Sequence, residues 1–529
     1  MLERFEGIQW LSLLWLMVPL GLFLLSGLTS RHRLRIVSSC AQALFLTGAT
    51  LNVLAIILIA AGQGPMTVGP WLRLDGLTAW MGLLVVFLGW VNLRYSRRYL
   101  AGDQAGIPFQ RWFLATIGSV LILVSTGHLL LLAGSWLLIS LTLHPLLCLY
   151  PRRGAREAAW QKFLVSRLGD LALFVGVIWL HQRFGSWELA VITEAVSAGH
   201  APSVTAPAAA FALAAVLKCA QIPFHGWLVR VMEAPTPVSA LLHAGIINLG
   251  GFLWLRMVPV FESSMVGHAV LLGFGAVTAA MAGLIIITQS SIKHSLAWST
   301  NAQMGFMLLE LGLGAYTLAL LHLIAHSLYK AHAFLSTGRI VVSSRVGDLK
   351  QPVASPGLLP AGVVAIIVPV AAMTAGHFGW FSPVPGLVFM MAMAYVLIFS
   401  VPALPRRSRT TVAALVVLLP MAHGLGQAVL SPSVPVAETP FGPWHGAVTG
   451  VMVLGAAVYW FVLTSIIRRS DLAIWQPLLA HSRNAFYLSV PLDRLIQMVR
   501  QWLLSGPHRE PRNDGRFSGV ERKPRGAET

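Results

Sequence analysis

Six lysines stand against thirty-one arginines in this chain, and three of them, Lys218, Lys293 and Lys330, fall within or at the edge of apolar runs. A buried lysine can lose its proton near neutral pH, whereas arginine stays charged in almost any surroundings. A site that must gain and release a proton therefore needs lysine. Lys330 lies in LLHLIAHSLYKAHAFL with His322 and His326, at i, i+4 and i+8, so the three share one helix face. Such a file of imidazoles and an amine suits proton relay. Zinc would need a third ligand and a Glu general base inside the HxxxH; neither is evident, and no metal is expected. The stretch LKCAQIPFHGWLVRVMEAPTPVSALLHAG, residues 217–245, gathers Lys218, His225, Arg230, Glu233 and His243 with Pro223, Pro235 and Pro237. Pro207 can start the helix that carries Lys218, and Pro223 interrupts it. Backbone groups freed at membrane depth are tolerated where they line a cavity or are buried in protein. Glu233 is the expected partner of Lys218. Asp170, in FLVSRLGD, has Arg167 at i−3 as its own.

Each of these residues also has a plainer reading. Lys218 could snorkel to an interface, the histidines could be buried rings satisfied by backbone or water, and Lys293, at a helix start, could be interfacial. Asp75, in RLDGLTAW, reads as a helix cap. Glu310 is either a cavity mouth or a solvated acid. His128 and His144 stand equal as candidates.

The elements that must position these groups are long and apolar. The chain is 56% hydrophobic and 11% charged, with a mean hydropathy of +0.73. Soluble chains carry about 25% charged residues, so a set of soluble domains is excluded. Apolar runs recur from Ile8 to Ile467, many long enough for a bilayer, which takes roughly 20 residues per helix. They do not alternate as barrel strands would. The expected fold is an all-α polytopic membrane protein with about fifteen spans. They fall near 9–29, 36–61, 76–94, 112–126, 128–149, 163–181, 206–222, 237–257, 266–288, 292–312, 314–340, 357–377, 382–402, 410–430 and 445–467. At bilayer depth a charge costs at least ~2.5–3.5 kcal/mol, which makes the buried ionisable groups functional candidates.

The net charge of +18 is best explained by topology, because the basic residues punctuate the apolar runs. Arg31, Arg33 and Arg35 follow the first run, and Arg94, Arg97, Arg98 and Arg111 the third. Arg152, Arg153, Arg156 and Lys162 follow the fifth, with further clusters at 345–350, 406–409 and 468–469. Every cluster follows an odd-numbered helix. That asymmetry puts the N-terminus outside and the C-terminus in the cytoplasm of a cell inner membrane protein. The first run is not read as a signal peptide, since Glu3 and Glu6 replace a basic n-region and no small-residue cleavage site precedes RHRLR. The organisation expected is N-terminal helices over 1–110, a core over 111–350, C-terminal helices over 351–470, amphipathic interfacial or partner-binding helices over 471–504, and a disordered basic tail over 505–529.

Cys40, Cys148 and Cys219 lie in apolar context without a CxxC, which argues against an iron–sulfur cluster, a zinc knuckle or a disulfide framework. No P-loop, no GxGxxG in a βαβ context and no GxSxG is present. No cofactor is expected, and the chain does not read as an enzyme. The residues alone lead as far as a cation or proton pathway.

The 217–245 stretch resembles the proton-conducting membrane subunits of complex I and of Mrp-type cation/proton antiporters. RLDGLTAW, FLVSRLGD, SSIKHSLAWSTNAQMGFM and HLIAHSLYKAHAFL extend the resemblance over roughly 70–340, in the family's order. It implies two inverted five-helix repeats, each with a discontinuous helix. It implies that Lys218 is the broken-helix lysine, His243 the histidine of the next helix, Lys293 the lysine opening the SLAWST motif, Lys330 the central lysine and Asp170 the acid of the RxGD motif. Two positions depart from the pattern: Leu137 follows Trp136 where family members commonly carry glutamate, and no lysine occurs between Lys350 and Lys523. With HAGIINLGGFLWLRM, the chain looks most like the DabB-type membrane subunits of two-component inorganic carbon pumps. That likeness implies a cation flux, of protons or sodium ions, that powers a DabA-like zinc protein hydrating CO2 to bicarbonate. The alternatives are a proton-translocating subunit of a complex I-like oxidoreductase or Mrp-type antiporter, and a non-conducting membrane scaffold.

Overall fold

Apolar runs punctuated by arginine become helices in the computed structural model, which describes residues 2–199, 202–343, 418, 422–434, 440–469 and 472–504. The first half runs α1 (Leu2–Leu28), α2 (Leu34–Ala60), β1 (Met66–Val68), β2 (Leu72–Leu74), α3 (Gly76–Tyr99), α4 (Gly106–Ser125), α5 (Leu129–Leu147), α6 (Arg153–Phe184) and α7 (Leu189–Ser197). The second continues with α8 (Thr205–Lys218), α9 (Gly226–Arg230), α10 (Thr236–Ala244), α11 (Leu249–Phe261), α12 (Met265–Ile286), α13 (Ile292–Gly312) and α14 (Tyr316–Ser343). Further on are a helical stretch at 422–430 and the helices His445–Arg468 and Gln476–Arg483. The chain divides into two units, Met1–Ser489 and Val490–Thr529. In the second, Val490–Leu504 is an amphipathic helix.

Ten helices among the described residues are long and apolar enough to cross a membrane, with Thr236–Phe261 counted as one span. The expected spans 357–377 and 382–402 lie outside the described residues, as do most of 410–430 and all of the 505–529 tail. Elsewhere the expected runs coincide with helices, and 112–126 and 128–149 are indeed separate, parted at Thr126–His128. Three features were not expected. Residues 66–74 form a small antiparallel hairpin. A short helix, α7, follows the left-handed cap Gly185 of α6. And α6 begins ten residues before the expected start at 163 (163 − 153 = 10), taking up the arginine cluster that reads as a loop.

The interruptions follow the sequence chemistry. α8 ends at Lys218, ahead of Pro223, and Ala220 turns the chain with φ +51, a region costly to any residue with a Cβ. Side chains from other elements satisfy the backbone freed at the breaks: Ile222 N–H donates to Thr278 Oγ1 at 3.0 Å, and the Ile247 carbonyl accepts from Cys219 Sγ at 3.2 Å. Pro235 and Pro237 stand at the start of α10, where a missing N–H costs nothing. The next helix is itself interrupted at Gly245–Asn248, where a 3-10 turn joins α10 to α11. The α8, α10–α14 region forms the interior, with nearly every side chain of α10 and α11 buried. α12 and α13 cross in backbone contact, because a Cβ on Gly275 would sit 2.6 Å from the Gly305 carbonyl oxygen. One on Gly305 would sit 2.6 Å from Ala279 N.

Candidate functional site

The candidate residues separate into two buried groups. The first is built by α5, α6 and α8. The Lys218 ammonium lies 4.3 Å above the ring of Trp136, an arrangement worth about 2 kcal/mol or more when desolvated. Asp170 interacts electrostatically with Lys218 and pairs with Arg167 at 2.7 Å one helical turn away. The expected pairing of Lys218 with Glu233 is not what forms. Glu233 is exposed, and its carboxyl lies against Gly154 at the start of α6, because the turn after α9 swings it away from the end of α8.

This group also holds a residue that reads as part of a loop cluster. Lys162 is buried inside α6, and its ammonium donates to Ser140 Oγ at 2.8 Å and to the Ser140 carbonyl at 3.0 Å. It interacts electrostatically with Lys218, Arg167 and Asp170. Its rarity as a lysine was the available signal. The helix start expected at 163 hid it, since a residue one position outside a helix reads as interfacial. Ser140 lies one turn beyond Leu137 on α5. Lys162 thus reaches the helix that carries Trp136 and Leu137.

The second group is built by α10, α13 and α14. Lys330 is completely buried, donating to the Leu296 carbonyl at 3.0 Å and to Ser299 Oγ. His243, at the end of α10, bonds through Nδ1 to Thr300 Oγ1 at 3.2 Å and stacks on Phe334. Its electrostatic partner is Lys330. One turn along α14, His326 is buried and bonds to no protein group through either ring nitrogen. Its ring centroid lies 6.2 Å from that of His322. His322 Nδ1 meets Glu310 Oε2 at 2.9 Å. Glu310 is therefore not solvated: it is buried on α13 and stands at the far end of the file. Asn248, at the α10–α11 interruption, donates to Ser327 Oγ at 2.6 Å and ties that break to α14.

Lys293 stands apart, half-buried in the first turn of α13. No hydrogen bond, ion pair or ring contact joins the two groups among the described residues. His144 packs edge-on against Phe163 near the first group, and His128 stacks on Trp71 at the bundle end. Among the described residues no three His, Cys, Asp or Glu side chains converge as metal ligands would.

Asp75 is the cap that its position implies, accepting from Thr78 N at 2.9 Å. Its carboxylate also takes the buried Arg256 guanidinium of α11 at 2.6 Å and Arg73 at 2.8 Å. Burial pushes its carboxyl up, but Arg256, then Arg73 and the Thr78 N–H, overcome that and hold it well below the usual carboxylate range. This link pins α11 to the start of α3.

Residues 126–403 match the family described as "NADH:quinone oxidoreductase/Mrp antiporter, TM". The "Probable inorganic carbon transporter subunit DabB" of Hydrogenovibrio crunogenus is 35% identical over 93% of this chain and 94% of its own. The "Probable inorganic carbon transporter subunit DabB2" of Halothiobacillus neapolitanus is 43% identical over 53% of this chain, which spans about half, 52%, of that relative. A chain of the Mrp complex from Dietzia sp. shares the fold, with a TM-score of 0.63 at 23% identity, covering 94% of this chain and 59% of that one.

Proposed function

This chain belongs to the NADH:quinone oxidoreductase/Mrp antiporter membrane family, and within it to the DabB group; from that premise we propose that it is the cation-conducting subunit of an energy-coupled inorganic carbon pump. It moves protons, or sodium ions, across the cell inner membrane to power a DabA-like zinc protein that hydrates CO2 to bicarbonate. Its N-terminus faces outside and its C-terminus the cytoplasm. Two inverted five-helix repeats form the conducting core.

The observation that carries this reading is the file Glu310, His322, His326 and Lys330 with His243 beside it, sealed inside a bundle of apolar helices. Burial of so many ionisable groups is costly, and their retention at membrane depth supports a functional role. A proton taken by Glu310 passes to His322 across their 2.9 Å contact. His326, whose ring nitrogens bond to no protein group, carries it one turn along α14 to Lys330. A charge arriving on Lys330 acts on His243 and so on the α10–α11 interruption. That interruption is the natural element to shift, because its hydrogen bonds are already broken at Gly245–Asn248. Lys218, with Lys162, Arg167 and Asp170, forms a second station beside the break after α8. Moving a proton onto or off Lys218 changes the charge that the Asp170 carboxylate balances.

Carbon uptake by cells carrying Lys218→Ala or Lys330→Ala tests the proposal. Uptake should fall sharply and lose its sensitivity to ionophores. Unchanged uptake with unchanged ionophore sensitivity would overturn it. The family's description also names a quinone oxidoreductase. Co-purification with quinone-reducing peripheral subunits, rather than with one large zinc-containing partner, would favour that reading.

A further inference from the structure

Three segment ends meet on one face of the bundle: the turn between α1 and α2, the last turns of α3 and the first turn of α4. Between them lies a cleft of about 1350 Å³, lined by Arg31, Arg35, Arg94, Arg97 and Arg98. A single carboxylate, Asp103, also lines it, and it is already engaged by the Tyr150 hydroxyl and by the Ala105 N–H at 2.8 Å. Those bonds hold the Asp103 carboxyl low, while the Tyr150 hydroxyl is pushed up to about 12 by its bond to Asp103. Asp103 is thus a charged acceptor committed to Tyr150. None of the five arginines pairs with a carboxylate among the described residues. The wall contributed by α2 adds Ser38 Oγ and Gln42 Nε2, both buried and without a hydrogen-bond partner.

Five guanidiniums against one occupied carboxylate call for an anion with several acceptor oxygens. The planar fork of arginine fits phosphate in a bidentate way. The apolar surroundings say which phosphate. The helices that form the cleft continue as exposed apolar faces, with Leu24 and Leu28 on α1 and Ile36 and Leu46 on α2. Tyr99, exposed at the end of α3, adds an aromatic of the kind that sits at headgroup level. A free phosphate would use the arginines and leave those faces idle. A lipid uses both, with its phosphate among the arginines and its acyl chains along α1 and α2. A zwitterionic lipid brings no net charge, whereas an anionic one does. We infer that this cleft is a binding site for the headgroup of an anionic phospholipid such as phosphatidylglycerol or cardiolipin. The Ser38 hydroxyl and the Gln42 amide complete its hydrogen bonding. The site stands independently of the ion pathway.

The test is lipid analysis of the complex purified with its partner in mild detergent, followed by mass spectrometry of retained phospholipid. Wild type should retain anionic lipid above its share of the membrane. Arg94→Gln/Arg97→Gln/Arg98→Gln should weaken retention on the order of 100-fold. Arg152→Gln/Arg156→Gln, outside the cleft, should leave it unchanged, and millimolar inorganic phosphate should not displace the lipid. Should the triple variant fail to assemble, Ser38→Val/Gln42→Leu, which keeps every charge, must still lower retention. Undiminished anionic lipid in a folded cleft variant would overturn the inference. So would displacement by inorganic phosphate, or loss of the partner protein with lipid retained, since the cleft would then be a phosphate site or an acidic protein's dock.

Discussion

The two buried groups solve the same problem in opposite ways. The α5–α6–α8 group holds three cationic side chains, Lys162, Arg167 and Lys218, against one carboxylate, and steadies Lys218 on an aromatic face. The α10–α13–α14 group sets two imidazoles, His322 and His326, between one carboxylate, Glu310, and one amine, Lys330, with His243 beside the amine. The first is a knot of mutual charges, in which a proton added anywhere is felt by every member. The second is a line, which under the proposed function would give a proton a direction to travel. A knot suits a switch that senses charge, and a line suits conduction. The difference also explains why removal of single members should hurt the two groups unequally.

The sharpest way to break this contrast is Lys330→Ala. It removes the terminus of the line, and cation flux in proteoliposomes, read with a pH-sensitive dye, should fall on the order of 10³-fold. A knot residue should matter less: Lys218→Ala should lower flux about 10²-fold. Lys218→Arg should not rescue it, because arginine holds its proton. Equal losses at Lys218 and Lys330 would mean that both groups lie in one conducting series. Glu310→Gln keeps a hydrogen-bonding partner for His322 but not its charge. It should cost roughly 10-fold, the scale of one charge-assisted hydrogen bond, with the loss read in the same assay. Lys162→Met should cost less than Lys218→Ala in parallel flux measurements. An equal loss would make Lys162 a conducting residue in its own right. Smallest of all, Glu233→Gln should leave flux within about twofold, as for an exposed surface change. A large loss there would restore the Lys218–Glu233 pairing expected from sequence.

How legible each group is from sequence follows from how it is built. Residues on one helix are related by spacing, so His322, His326 and Lys330 line up on α14 as their intervals require, and Arg167 meets Asp170 one turn away. Contacts between helices carry no such interval. The His322–Glu310 pair spans α13 and α14, and Lys162 reaches across from α6 to Ser140 on α5. Neither follows from a local pattern. Glu233 misleads for the same reason: it is near Lys218 in sequence, yet the turn between α8 and α10 carries it to the surface. The spans were legible because apolar length is local. The second interruption, at Gly245–Asn248, was not, since no proline marks it and it is held by Asn248 on Ser327.

The crossing of α12 on α13 has a mechanical consequence. With the backbones in direct contact at Gly275 and Gly305, neither helix can slide past the other without collision. α13 carries Ser299 and Thr300, which grip Lys330 and His243, while α12 carries Thr278, which grips the break after α8 at Ile222. One close-packed helix pair is thereby hydrogen-bonded both to the break after α8 and to the Lys330–His243 group.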